Sequence, residues 1–380
     1  WTRGAYELIN NVHPEWASKT LAMFNFELDA FDDGGDTFMI TSVPEYATLV
    51  KNLVDEGVLD GAVKDYEKGI SAETFDTTTM EDGISYRGAG VPYFLNTTDT
   101  CSGSTSEDGE YTWSQLHYHT ESDNTDTYSE KVMKANIAVF GSIAIAIDQL
   151  PAMTLDMQAT IDDLSESFNE DLAEEAGVSK EDWENALSVF QKEVDALNAE
   201  GKDINERYVK AVSSKADVEA IQEEGKAYNK KVLFKYVQDN FIGIVFSSDV
   251  VMKHVGYQNN IEYMDEVIDD LNDNKISDAL DVAYQLNGLC EYNYYLFSPN
   301  AAAKIDAHAD KAVDNNKWWG NDKGFYFTNT KEATASLLKR EDGDDVSEEI
   351  KVYEDARAQQ LNYYKDSLEK EIQAMEKIGK

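Results

Sequence analysis

Short apolar runs separated by turn residues fill the first 150 positions of the chain. Gly4 to Val12 has helical spacing, and His13-Pro14 ends it, because a residue before proline is pushed out of the helical region. Thr20 to Glu27 is largely apolar with an aromatic bias, the pattern of a buried strand. Asp32-Asp33-Gly34-Gly35 predicts a turn, and Thr37 to Thr41 a second short strand. Pro44 opens a helix that runs to Glu56, since proline is tolerated in a first helical turn. The polar, Thr-rich segment from Ser71 to Asp82 predicts a loop, and Val91 to Leu95 a further buried strand. Residues 97–126 form a long polar loop, followed by a helix from Tyr128 to Gln149 that Leu150-Pro151 ends. Strands separated by helices predict an α/β domain with a mixed sheet over residues 1–150.

After Pro151 the texture becomes helical. Ile161 to Ala176, Ser179 to Leu197, Ile204 to Phe246, Ile261 to Leu286, Ala301 to Ala312 and Val346 to Ile378 all favour helix. Trp183, Leu187, Phe190 and Val194 form one stripe, and Ile350, Tyr353, Leu361, Tyr364 and Leu368 another. Both read as core faces. The stretch from Trp318-Trp319-Gly320 to Phe327 reads as an aromatic loop packed on that core. Residues 151–380 are therefore expected to form a large all-α, acidic domain suited to dimerisation or assembly.

Charge narrows the partners. With 33 basic and 74 acidic residues the formal charge is -41, a field that repels nucleic acid and anionic membranes. No apolar run reaches membrane-spanning length, the best being Ile137 to Ile147. A cell-surface, calcium-rich or saline setting fits this acidity. No basic, apolar secretory leader is visible at the N-terminus, and a secreted or cell-surface location is the expectation. Cys101 and Cys290 offer one disulfide or two separate thiols.

Five histidines are present, and His117 and His119 stand together in LHYHTESDNTDTY before the apolar helix. Imidazole and carboxylate are both zinc donors. An extended segment would direct these two side chains the same way. Asp-rich loops such as Asp342-Gly343-Asp344-Asp345 make calcium a further candidate, although none has an EF-hand pattern.

Tyr118 to Asp123, leading into Asp126-Thr127-Tyr128 and the helix, resembles the last metal-ligand segment of the M28 family of zinc aminopeptidases and carboxypeptidases. Asn11 to Trp16 followed by Lys19 to Glu27 resembles the helix, turn and central strand that end in a metal-binding carboxylate. Asp82, with Gly90-Val91-Pro92 eight residues on, resembles a segment lining the substrate side. The resemblance implies the C-terminal part of an αβα zinc-exopeptidase domain. It makes His119 a ligand of one of two zinc ions and places the neighbouring carboxylate on Glu27, where the family usually has aspartate. Asp29, on the same face, is the rival. Tyr86, Arg87 and Gly90 would line the substrate, with a surface salt bridge as the other reading of Arg87.

The resemblance also implies that a histidine, a bridging aspartate and a Glu-Glu pair come from an upstream segment, so no catalytic base is assigned in this chain. Glu-Glu at 174–175, 223–224 and 348–349 falls in the wrong order to serve. The expected function is a zinc-dependent exopeptidase subunit or fragment acting on terminal peptide bonds, as a homo-oligomer. The alternative is a non-catalytic structural or surface-assembly protein with a peptidase-like fold.

Overall fold

The computed structural model describes residues 3–27, 30, 36–74, 81–97, 116, 117, 119–244, 250–286, 304, 328 and 330–378. Cys101, Cys290, the 32–35 turn and the 318–327 aromatic stretch lie outside them, as does all but residue 304 of the 301–312 helix. The chain divides into two compact units. The first comprises residues 1–75, 81–160 and 194–235, and the second residues 76–80, 161–193 and 236–380.

In the first unit, α1 (Arg3–Glu7) continues as a π-helical turn over Leu8–Val12. The sheet contains β1 (Met23–Asn25), β2 (Thr37–Ser42), β3 (Gly69–Thr74) and β4 (Tyr93–Thr97) in the order β1-β4-β2-β3. β1 pairs parallel with β4, β4 antiparallel with β2, and β2 parallel with β3. The sheet is therefore mixed, as the pattern predicts. Among the described residues β1 is an edge strand, where the resemblance implied a central one.

The sequence reading missed β3, because GISAET looks polar. Its β-branched Ile70 nevertheless suits a half-buried strand. The helices α2 (Ala47–Asp55), α3 (Gly83–Ala89) and α4 (Glu130–Asp148) complete this layer. Three glycines obscure α3 in the sequence, since each costs a helix interior about 1 kcal/mol relative to Ala. Two of them have structural reasons. A Cβ on Gly83 would lie 2.1 Å from the Tyr93 ring, and Gly90 caps α3 in the left-handed region at φ 95°.

Phe38, Ile40, Tyr46, Phe94, Val139, Phe140 and Ile143 form the core between the sheet and α2 and α4. Each such buried side chain contributes roughly 1.5–3 kcal/mol. The Phe140 ring meets Phe26 edge-on at 5.3 Å, and Tyr46 stacks on Phe94 at 4.9 Å while donating to the Leu21 carbonyl.

The units do not divide at the change of texture near residue 150. α5 (Gln158–Glu166) and α6 (Glu170–Ala176) precede α7 (Lys180–Ser213), whose residues from Val194 onward belong to the first unit with α8 (Glu219–Asn229). The reason is local. Asn205 on α7 bonds both the Ala152 N–H and carbonyl at 3.0 Å, and Asn229 bonds Met153 N–H and Pro151 carbonyl. Gly225 of α8 packs so closely that an added Cβ would sit 2.4 Å from the Pro151 carbonyl oxygen.

The second unit adds α9 (Phe234–Asn240, from Tyr236 on), the hairpin β5 (Ile242–Ile244) and β6 (Val250–Met252), α10 (Lys253–Asn272) and α11 (Ile276–Ala283). It ends with α12 (Lys331–Leu337) and α13 (Ser347–Lys377). The region is helical as the sequence predicts, although β5 falls within the helix predicted to run from 204 to 246. That helix also breaks after α7, where Lys215 adopts φ 56°. Met264, Val267, Leu271, Leu337 and Tyr353 pack as one core. Behind it His254, fully buried, faces Glu371 Oε2 at 2.8 Å with one ring nitrogen and the Ser167 carbonyl at 3.3 Å with the other.

These packings predict opposite outcomes for two helical glycines. Gly225→Ala should cost about 1–3 kcal/mol through overpacking against backbone. Gly141→Ala, in open space on α4, should gain roughly 0.5–1 kcal/mol. Urea unfolding of both variants measures the contrast.

Candidate metal and substrate site

Glu27 follows the C-terminal end of β1, and three hydrogen bonds fix it. Asn96 of β4 accepts from the Glu27 N–H at 2.7 Å and donates to the Glu27 carbonyl at 2.9 Å. Its carboxamide thus imitates a peptide unit and carries the β1–β4 ladder past the last backbone pair, Asn25 with Leu95. Asn25, two residues back on the same strand face, donates Nδ2 to Glu27 Oε1 at 2.9 Å. Asn25 and Asn96 are buried, whereas Glu27 is exposed.

A second carboxyl lies behind this arrangement. Glu81, 5% exposed, precedes α3 and accepts a hydrogen bond from the Tyr93 hydroxyl at 3.0 Å. Burial raises its pKa to about 7, and the Glu27 charge adds to that rise. The Tyr93 bond, Asn25 and Arg87 oppose it without prevailing. Tyr93 is itself pushed well above its ordinary value, by burial first and then by Glu81. Glu81, Tyr93, Asn25 and Asn96 were not singled out in the sequence. The available signal was a pair of asparagines at the ends of otherwise apolar strands, MFN and YFLN.

The predicted substrate-lining residues separate. Arg87 is 4% exposed, which rules out the surface salt bridge, and its charge acts on Glu81 and Tyr93. Tyr86 is half-buried, and burial raises its hydroxyl pKa. Gly90 lies before β4, at the opposite strand end from Asn96, where the Lys235 stem covers it and Lys235 Nζ donates to the Gly88 carbonyl at 3.1 Å.

His119 occupies an exposed turn at φ 58°. The segment is not extended: Thr120 N–H bonds back to the His117 carbonyl at 3.0 Å, and His117 Nδ1 faces Ser122. The alignment of His117 and His119 expected for a strand is therefore lost. Capping falls to Asn124, which accepts from Asp126 N–H, and to Ser129 at the start of α4, rather than to Asp123 or Asp126. Asp29 lies outside the described residues.

The three Glu-Glu pairs are engaged elsewhere. Glu175 bonds Arg357, Glu224 bonds Arg207, and Glu349 bonds Ser336 and Arg340. The Asp342 to Asp345 carboxylates cap backbone instead of converging on a cation: Asp342 accepts from Ile276 N–H, Asp344 from Glu341 N–H and Asp345 from Ser347 N–H.

A zinc ion suits the donor types present. Glu27 offers a carboxylate with one oxygen already hydrogen-bonded, as metal-binding carboxylates have, and His119 an imidazole. Zinc takes four ligands, and among the described residues no group of three or more His, Cys, Asp or Glu side chains gathers. Glu27 and His119 are thus of donor types that zinc accepts, and the described residues alone do not complete a site.

Residues 1–144 match the family model described as peptidase family M28. The match supports an M28 peptidase domain over that segment, and this metallopeptidase family is generally zinc-dependent. No curated protein matches the chain.

Glu81 predicts a pH dependence with a definite sign. The folded state keeps this proton up to about pH 7, whereas the ordinary value is 4.5. Between those values the native state binds the extra proton, so stability falls as pH rises, by on the order of 3 kcal/mol in all. Glu81→Gln should remove that decline, visible as a flatter profile of unfolding free energy between pH 5 and 8 than the parent shows.

Proposed function

We propose that residues 1–144 contribute one side of a metallo-exopeptidase site that removes residues from a peptide terminus, with Glu27 and His119 as zinc donors. The observation that carries this reading is the fixed Glu27 carboxylate. It stands at the C-terminal end of a sheet strand, where an α/β sheet commonly presents its ligand site, within the segment that matches the family. Glutamate is a competent zinc donor in place of aspartate.

The remaining ligands and the proton-transfer base come, in this reading, from the segment preceding β1 in the complete protein. β1 supplies a place for it. Its outer edge is unpaired among the described residues, and an open strand edge invites a further strand. Within this chain, Asn25 and Asn96 hold Glu27, and Tyr86 is the candidate to meet the peptide. Zinc would supply polarisation of the scissile carbonyl. The helical region serves assembly into a homo-oligomer, and the -41 charge fits a secreted or cell-surface setting.

Zinc stoichiometry by elemental analysis tests the donor assignment. Glu27→Ala and His119→Ala should each lower the bound zinc, and Asp29→Ala should leave it unchanged. Retained zinc in both of the first two variants would leave the non-catalytic assembly reading in place.

A further inference from the structure

We infer that Asn25 and Asn96 are positioning residues that hold the Glu27 carboxylate in one orientation and so let a glutamate stand where the family usually has aspartate. The inference rests on the reading of Glu27 as a metal donor, although the geometry that carries it involves this chain alone.

Asn96 spends both ends of its carboxamide on the main chain of one residue, Glu27, at 2.7 and 2.9 Å. Asn96 is in turn fixed by the sheet, where it stands opposite Ile40 in the antiparallel β2–β4 pair, and it is 3% exposed. The Glu27 backbone is therefore set by β4 although β1 has ended. Asn25, 8% exposed, then takes one carboxylate oxygen at 2.9 Å. Oε2 is left without a hydrogen bond among the described residues, available to a ligand.

Glutamate has one more side-chain torsion than aspartate, and ordering it costs conformational entropy. The Asn25 bond settles that torsion before any ligand arrives. Hydrogen-bonded outer partners of metal-binding carboxylates act in this way elsewhere. The neighbouring Glu81 carboxyl is held in turn by the Tyr93 hydroxyl at 3.0 Å.

The test uses the full chain with Asn25→Ala, Asn96→Ala, Asn96→Asp and Glu27→Ala. Asn96→Asp keeps the acceptor for Glu27 N–H and removes only the donor to its carbonyl, which covers the case in which Asn96→Ala does not fold. Side-chain couplings of selectively labelled Glu27 report its rotamer without metal. The parent should show one rotamer, and Asn25→Ala an average of several, with thermal unfolding little changed. Cobalt(II), as a zinc probe with a visible spectrum, should bind about tenfold or more weakly to the asparagine variants.

A single Glu27 rotamer in both Asn25→Ala and Asn96→Asp would overturn the inference. So would cobalt affinity lost in Glu27→Ala but intact in the asparagine variants, a result that would leave the donor assignment standing. Rotamer averaging in Asn25→Ala with cobalt affinity unchanged in Glu27→Ala would instead remove the donor assignment and keep the positioning.

Discussion

The Asn96 carboxamide bridging β4 to the Glu27 main chain is the constraint on which the candidate site depends. The β1–β4 ladder has three residue pairs, a short run for fixing anything beyond its end. A side-chain amide that donates and accepts like a peptide unit adds a fourth rung without another strand residue. A neutral hydrogen bond of this kind nets only about 1 kcal/mol. Its consequence is geometric rather than energetic, since it fixes the backbone from which the carboxylate departs. The same strand carries Tyr93, whose hydroxyl meets Glu81 and whose ring leaves no room for a Cβ on Gly83. β4 therefore places Glu27, Glu81 and the start of α3 together.

Burial gives the two carboxyls of this cluster different characters. Glu27 is exposed and hydrogen-bonded, while Glu81 is enclosed and held protonated near neutrality. Two fully ionised carboxylates close together would repel, and withdrawing one from water relieves that by letting it keep its proton. The buried Arg87 moderates the effect without cancelling it. Desolvation is the main cause of the difference, and the Glu27 charge adds to it.

Much of the first unit was legible in the sequence because its signals are local. Apolar runs marked β1, β2 and β4, Pro44 marked a helix start, and the apolar stretch from Tyr128 to Gln149 marked α4. The resemblance to the M28 family singles out Glu27 and His119 as candidates, which the fold of the described residues neither gathers into a cluster nor replaces. What was not legible depends on partners distant in the chain. β3 is defined by its register with β2, Asn96 by Glu27 sixty-nine positions away, and α3 by a ring that only a glycine can pass. The assignment of 194–235 to the first unit belongs here too, since Asn205 and Asn229 look like surface helix residues until their contacts with residues 151–153 are seen.

The second unit shows how a chain so rich in carboxylates packs. One cation can serve several acids: the Arg357 guanidinium bonds both Glu175 and Asp265, so one charge ties α6, α10 and α13 together. Other carboxylates are absorbed by main-chain N–H groups at helix starts, as Asp342 is at α11 and Asp345 at α13, where the helix dipole favours negative charge. Exposed ion pairs contribute little singly, so cohesion must come from the apolar core of Met264, Leu271, Leu337 and Tyr353. The acidic surface governs the surroundings the protein tolerates, and added salt should relieve its self-repulsion more than it weakens these pairs. In the proposed reading, charge and chemistry are therefore carried by different residues, the helical surface bearing the first and the end of the β1–β4 ladder the second.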